Sequence, residues 1–259
     1  MPQILTAIDE LIATITLNNE RRRNVLSHAL VGEVIAALQD FRKANVRVVV
    51  LRAPAGAKVF SAGHDVHELP GAGRDPLGWD DSLRLLVREI ESFPGPVIAM
   101  VEGSVWGGAT ETVLACDIIV AAETSTFAVT PAKLGLPYNI GGMLTFLNAA
   151  GMHIAKEMIL TAQPVGADRA QRVGMINHVV PAAELESFTM GLARQITANA
   201  PLSVAVMKEQ LRILAGAHPM TPQGFERIQG LRRVVYDSAD YSEGLAAFKE
   251  KRRPVFRGE

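Results

Sequence analysis

The stretch "SVWGGATETVLACD", residues 104–117, places two glycines ahead of a small-residue, apolar run with one acid, Glu111, inside it. Glycine is unfavourable in a helix and an unpaired buried carboxylate more so, so both need a reason. The first amides of a helix have no partner within it, and its dipole favours negative charge there. Glycine also lets a ligand approach the backbone closely. A turn through Gly107 and Gly108 therefore suits an anion or oxyanion; it equally suits tight packing against a neighbouring strand, and this stretch alone leaves both open. "VFSAGHD", residues 59–65, has the same character, an apolar run passing through Ser61, Ala62 and Gly63 into a short helical turn. Turns that follow successive strands of one sheet lie at one edge, where ligands of α/β sheets bind. One N–H from each could then meet at a single oxygen, a two-donor oxyanion hole for an enolate or tetrahedral oxyanion.

Glu111, three residues after Gly108, points back toward the start of its helix. It is a candidate acid or base with a pKa raised by burial, or else a structural carboxylate bonded to backbone amides. His64 and His67, with Asp65 and Glu68, have a spacing that places both histidines on one helical face. No third ligand at a recognisable spacing accompanies them, so no metal is expected. Ser61, His64 and Asp65 lie too close in sequence to form a catalytic triad. Neither a Walker motif nor GxGxxG occurs.

The elements that must position these residues are legible in outline. "ILTAIDELIATITLN" reads as a hairpin around Asp9 and Glu10. Ser27 caps a helix with apolar residues at Leu30, Val31, Val34, Ile35 and Leu38. "VRVVVLRA" is nearly continuously apolar, as in a strand buried on both faces. A Gly/Pro/Asp-rich connector, "PGAGRDPLGWDD", leads to a helix from about Ser82 to Phe93. "PVIAMVEG" is a strand ending at Gly103, with a helix starting near Gly107. "DIIVAAE" is another strand, followed by the turn-rich "TPAKLGLPYNIGG". Helices are expected over Met143–Ala150 and His153–Thr161, a last strand at "INHVV", and helix over most of the chain from Ala182. Alternating buried strands and helices imply an α/β fold with right-handed crossovers.

The 259 residues allow one large or two small domains. Hydrophobic residues make up 48%, with no apolar run long enough to span a bilayer, and the first residues do not resemble a secretory signal. The single cysteine, Cys116, excludes an internal disulfide framework and suits a cytoplasmic protein. A net charge of −1 with mixed signs is no footprint for nucleic acid, although it leaves room for a local basic patch.

"FSAGHD" and "EGSVWGGATE" resemble the two signatures of the crotonase (enoyl-CoA hydratase/isomerase) superfamily, and the resemblance runs from "NVLS" near Asn24 to the C-terminal "EKRRP". The segments "LRAPAGAKVFSAGHDVHELPGAGRDPL", "MVEGSVWGGA", "LGLPYN" and "FERIQGLRRVVYDSADY" are closest to the branch that decarboxylates methylmalonyl-CoA without biotin. The resemblance implies a spiral of ββα units, here residues 1–195, and a C-terminal helical trimerisation region, 196–259. It implies CoA thioester substrates and assembly as a homotrimer or dimer of trimers. The amides of His64 and Gly108 take the oxyanion positions. CoA is expected along Ala62, Gly63, His64, Asp65 and Val66, with Lys251 at a phosphate or ribose, although the basic run around Lys251 also reads as a solvated helix end. Arg21–Arg23 form a second cationic cluster.

Departures from the hydratase pattern are informative. Hydratases of the family use two glutamates to activate water. The first matches Glu111; the second falls on Pro131, which cannot move a proton, and the usual "IPG" is replaced by Pro137-Tyr138-Asn139. Decarboxylation needs less. Loss of CO2 from a malonyl thioester leaves an enolate that the oxyanion hole stabilises, and no base has to remove a carbon-bound proton. The site must hold the carboxylate out of the thioester plane without strong ion pairing, which would stabilise the ground state. Thr130 and Tyr138 offer neutral hydrogen bonds for this, unless Tyr138 is loop packing. Glu111, Tyr138 or water then protonates the enolate. No cofactor is expected. The competing expectations are a hydratase, isomerase or thioester hydrolase, with Glu68 or Asp65 replacing the missing glutamate, and an RNA-binding protein, disfavoured by the charge and the 5% aromatic content.

Overall fold

The computed structural model describes residues 2–217 and 219–259. The hairpin forms as expected, β1 (Ile4–Asp9) pairing antiparallel with β2 (Ile12–Leu17). The Ser27 hydroxyl accepts from the Leu30 amide and starts α1 (His28–Lys43). Repeating ββα units follow. The first is β3 (Val48–Arg52), β4 (Val59–Ser61) and α2 (Ser82–Ser92). The second is β5 (Val97–Val101), β6 (Ser104–Trp106) and α3 (Gly108–Leu114); the third is β7 (Ile118–Ala122), β8 (Thr126–Ala128) and α4 (Ile140–Thr161). Then come β9 (Val165–Gly166), α5 (Ala167–Arg172), β10 (His178–Val180), α6 (Leu185–Thr197), α7 (Pro201–Ala215), α8 (Pro222–Tyr236) and α9 (Ala239–Glu250).

Each unit sends its first strand to one sheet and its second to another. The large sheet has the order β1-β2-β3-β5-β7-β10, the small one β4-β6-β8-β9. All pairs after the hairpin are parallel, except β8 with β9. The central strands of the large sheet are buried on both faces. Val49 and Leu51 enter the main core with Leu30, Leu86 and Ile90, while Val48 and Val50 pack with Leu185 and Ala193 of α6. That division explains the unbroken apolar run in β3.

The structure corrects several details. No strand runs to Gly103: β5 stops at Val101 and β6 forms before the glycine turn, while β8 and β9 lie in stretches to which the sequence reading gave no element. These strands are two or three residues long, too short to carry a period. The two helices expected over Met143–Ala150 and His153–Thr161 do form, divided at Gly151, whose φ of 67° and ψ of 167° are not helical, but the first starts earlier, at Ile140. Position 195/196, the expected division between core and C-terminal region, falls inside α6.

Candidate active site

Because β4 and β6 are parallel neighbours, their C-terminal ends reach the same rim. β4 exits into Ala62-Gly63-His64 and β6 into Gly107-Gly108, where α3 begins. Gly107 has φ +52° and ψ −121°, a conformation that L side chains resist. Gly63 has φ +86°, and a Cβ there would lie 3.0 Å from the Gly108 nitrogen; a Cβ on Gly108 would lie 3.4 Å from the His64 nitrogen. The two turns are thus in contact, and neither the His64 nor the Gly108 amide donates to a partner among the described residues. Two N–H groups without a partner thus lie close together at one rim.

The side chains of the first turn have structural partners. Ser61 donates to the Asn24 carbonyl at 2.6 Å. The Asp65 carboxylate accepts from Arg22 at 2.7 Å and from the His67 amide at 3.2 Å, and Glu68 accepts from the His28 amide at 2.7 Å. Both carboxylates thus already bind neighbouring groups of the chain. No group of three or more His, Cys, Asp or Glu suited to a metal occurs among the described residues. The His64 ring bridges Asp81, 2.8 Å from Nε2, and the Asp65 carbonyl, 3.1 Å from Nδ1. Burial depresses its pKa, but the Asp81 hydrogen bond and charge and the Asp65 carbonyl outweigh this, leaving the pKa above 6.5.

Glu111 is fully buried. One oxygen accepts from Arg84 of α2, and the other has no partner. Arg84, rather than the backbone amides of the alternative reading, is what holds it. Burial drives the Glu111 pKa up to about 7, with Arg84 opposing. Tyr138, at the loop leading into α4, is also buried; its ring meets Phe146 edge-on at 5.1 Å and its hydroxyl has no protein partner. Burial, reinforced by the charge of Glu111, keeps that phenol neutral.

A cavity of about 980 Å³ opens over these turns. Ala62, His64, Asp65, Val66, Gly107, Gly108, Thr130, Pro131 and Tyr138 line it; Glu111 does not. Its outer wall carries Arg21, Arg22, Arg23, Lys133, Lys249, Lys251 and Arg252, against one lining carboxylate, Asp65. Arg252 is engaged by Glu243 and Glu250. A chain of near-zero net charge thus concentrates cations at one opening, an arrangement suited to phosphates. The sequence reading missed Lys133, Lys249, Asp81 and Arg84. Asp81 could have been found as a helix cap before Ser82; nothing in the sequence pairs Arg84 with Glu111, 27 positions away.

A family model described as enoyl-CoA hydratase/isomerase matches residues 7–259. The chain belongs to that family. Within the enoyl-CoA hydratase/isomerase family it is similar to methylmalonyl-CoA decarboxylase of Escherichia coli (strain K12), with 54% identity over 247 residues and 95% of each chain covered. It is also similar to carnitinyl-CoA dehydratase of Escherichia coli O157:H7, with 36% identity, covering 88% of this chain and 87% of that one. A solved structure of methylmalonyl-CoA decarboxylase in complex with 2-nitronate-propionyl-CoA superposes with a TM-score of 0.97 at 52% identity, covering 99% of both chains. The family fold is therefore the one seen here, its ββα units feeding two sheets.

Proposed function

We propose that this chain decarboxylates methylmalonyl-CoA to propionyl-CoA and CO2. The carrying observation is the composition of the rim: two unpartnered amides meet there, and the third turn presents Thr130, Pro131 and a neutral Tyr138 with no carboxylate. The similarity to the Escherichia coli decarboxylase supports the substrate. The cations at the cavity mouth would hold the phosphates of CoA, and the acyl end would reach the rim along Ala62–Val66.

In the reaction, the thioester oxygen accepts from the His64 and Gly108 amides. Tyr138 and Thr130 hold the carboxylate out of the thioester plane by neutral hydrogen bonds. The bond to the carboxylate carbon breaks, CO2 leaves, and the electron pair moves onto the thioester as an enolate. The amides bind that developing charge more strongly than the ground-state carbonyl, which is where the acceleration arises. The α-carbon then takes a proton. Tyr138, which lines the cavity, water or Glu111 supplies it. Neither metal nor biotin has a role in these steps, because the thioester itself is the electron sink.

Exposed apolar residues on α7 and α8, among them Leu202, Leu211, Leu214, Leu231 and Val234, form surface of the kind that partners cover. We propose that copies of this chain bury it in a homotrimer, alone or paired as a dimer of trimers. The lone cysteine is buried, and no helix among the described residues is long and apolar enough to cross a membrane, which supports placing the enzyme in the cytoplasm.

The deciding experiment incubates the purified chain with methylmalonyl-CoA and, separately, with crotonyl-CoA, without biotin or added metal, and resolves products by mass spectrometry. Propionyl-CoA and CO2 from the first substrate are expected. Hydration of crotonyl-CoA with no propionyl-CoA formed would replace this reading by a hydratase.

A further inference from the structure

The connector from the first amide turn to α2 looks like a loose surface loop in sequence, yet a buried charge holds it. Arg232 of α8 is 5% exposed and grips Asp75 with both terminal nitrogens, at 2.8 and 2.5 Å. Asp75 in turn accepts from the Leu77 amide at 3.0 Å. The Leu77 carbonyl accepts from the Asn139 side-chain amide at 3.1 Å, and the Asn139 side-chain oxygen caps α4 by accepting from Gly142 N at 2.8 Å. Asn139 directly follows Tyr138, and the side chains of Leu77 and Tyr138 both line the cavity. Two further ties bind the same connector to the C-terminal helices: the Tyr241 hydroxyl donates to the Pro70 carbonyl at 2.7 Å, and Gly73 N donates to the Tyr236 carbonyl at 3.3 Å.

The Tyr138 hydroxyl makes no hydrogen bond to protein, so it cannot anchor its own ring. The position of the ring comes from the packing of Phe146 and from the backbone at the start of α4. We propose that Asp75 and Arg232 are positioning residues for decarboxylation, fixing Leu77 and, through the Asn139 cap, the placement of Tyr138. This rests on the reading of Tyr138 as the group that orients the carboxylate. It also joins two segments that the sequence comparison set apart, "GRDPL" and "FERIQGLRRVVYDSADY", into one device. A bidentate guanidinium–carboxylate pair is suited to such a task because it fixes angle as well as distance.

The test compares wild type, Asp75→Asn, Arg232→Lys and the double variant in the full-length chain. For each, kcat and KM for methylmalonyl-CoA are measured, with amide hydrogen exchange across the chain. A displaced reacting group costs rate steeply, so kcat should fall about tenfold or more in each single variant. KM should move by less than about twofold, since the cations at the cavity mouth lie on other elements. Exchange should accelerate at Leu77 and Gly142 and remain near wild type in the large sheet. The double variant should be no slower than the worse single one, because both residues act through the same contact. Unchanged kcat in folded variants, or exchange loosened throughout the fold with additive losses, would overturn the inference. If the wild type itself makes no propionyl-CoA, the function reading falls, and the exchange pattern still decides whether the link from Arg232 reaches α4.

Discussion

Tyr138 and Glu111 converge on the α-carbon of Gly142: a Cβ there would lie 2.8 Å from Cδ1 of the tyrosine and 3.1 Å from Oε1 of the glutamate. Each also carries a buried oxygen with no protein partner. Only the tyrosine faces the cavity. The acid that matches a hydratase glutamate has thus been drawn into a pair with Arg84, and a neutral phenol stands at the wall.

Tyr138→Phe separates catalysis from packing. It deletes a hydroxyl that bonds to no protein atom, and an unsatisfied buried polar group costs about 1–3 kcal/mol. The thermal midpoint should therefore hold or rise, while kcat for methylmalonyl-CoA falls about tenfold or more with little change in KM. Undiminished turnover would remove the tyrosine from the mechanism.

Gly108→Pro tests the amide pair. Gly108 is the first residue of α3, where proline is tolerated, so the fold should survive while one donor disappears. A Cβ there would meet Leu83 Cδ2 at 2.7 Å, the flexible end of a side chain. The expected loss is about 10²–10³ in single-turnover rate, with CoA binding retained. Gly63→Ala should also cost rate, by displacing the turn, since its methyl would clash with the Trp106 carbonyl and lie 3.0 Å from the Gly108 nitrogen. Wild-type rates in both variants would mean that the thioester oxygen binds elsewhere.

Glu111 makes stability fall as pH rises. Its pKa is 4.5 as a free side chain and about 7 in the fold, because burial disfavours its charge. Between those values the folded chain holds a proton that the unfolded chain has lost, so folding weakens across that window and levels off above it. Denaturant midpoints measured from pH 4.5 to 7 should show this slope, and Glu111→Gln should flatten it. A slope unaltered by the substitution would assign it to another group.

His64 acts in the next window. Its folded pKa lies above 6.5, so its contribution is complete below 6.5 and is lost as pH climbs through the folded value. Asp81→Asn keeps the cap on Leu83 N, an acceptor role an asparagine oxygen can fill, and removes the charge facing the ring. The variant should lose the alkaline part of the pH dependence while narrowing the Glu111 window only slightly, because the Asp81 charge is the smallest of the causes that raise the Glu111 pKa, as read by the same denaturant series.

Assembly has its own test. Leu211, 68% exposed on α7, should be covered in the trimer. Leu211→Asp should shift sedimentation toward the monomer without altering the far-ultraviolet circular dichroism. A wild-type chain that sediments as a monomer would show that this face serves another partner.

The sequence was most legible where one residue type decides one local conformation. Ser27 before α1 and the unbroken valines of β3 each carry a physical meaning that survives folding. The glycine turns at 63 and 107–108 belong to this class, since positive φ and close approach leave few alternatives. Less was legible where the determinant is a partner far along the chain. Arg84 reads as one charged position on an amphipathic helix, and only the packing of α2 beside α3 brings it to Glu111. β6 and β8 likewise have no period of their own; β6 is a strand through its pairing with β4 and β8, and β8 through its pairing with β6 and β9.

The succession β4, β6, β8 has one more implication. Because these strands are parallel neighbours, their exits deliver His64, Gly108 and Thr130 to a common ledge, and each arrives on its own tether. In the proposed reaction two of the three contribute only main chain, which no substitution but proline removes. The third contributes side chains, and those are free to vary. A chain so constructed keeps its electrophile as a fixture and carries its choice of reaction in an exchangeable segment a few residues long.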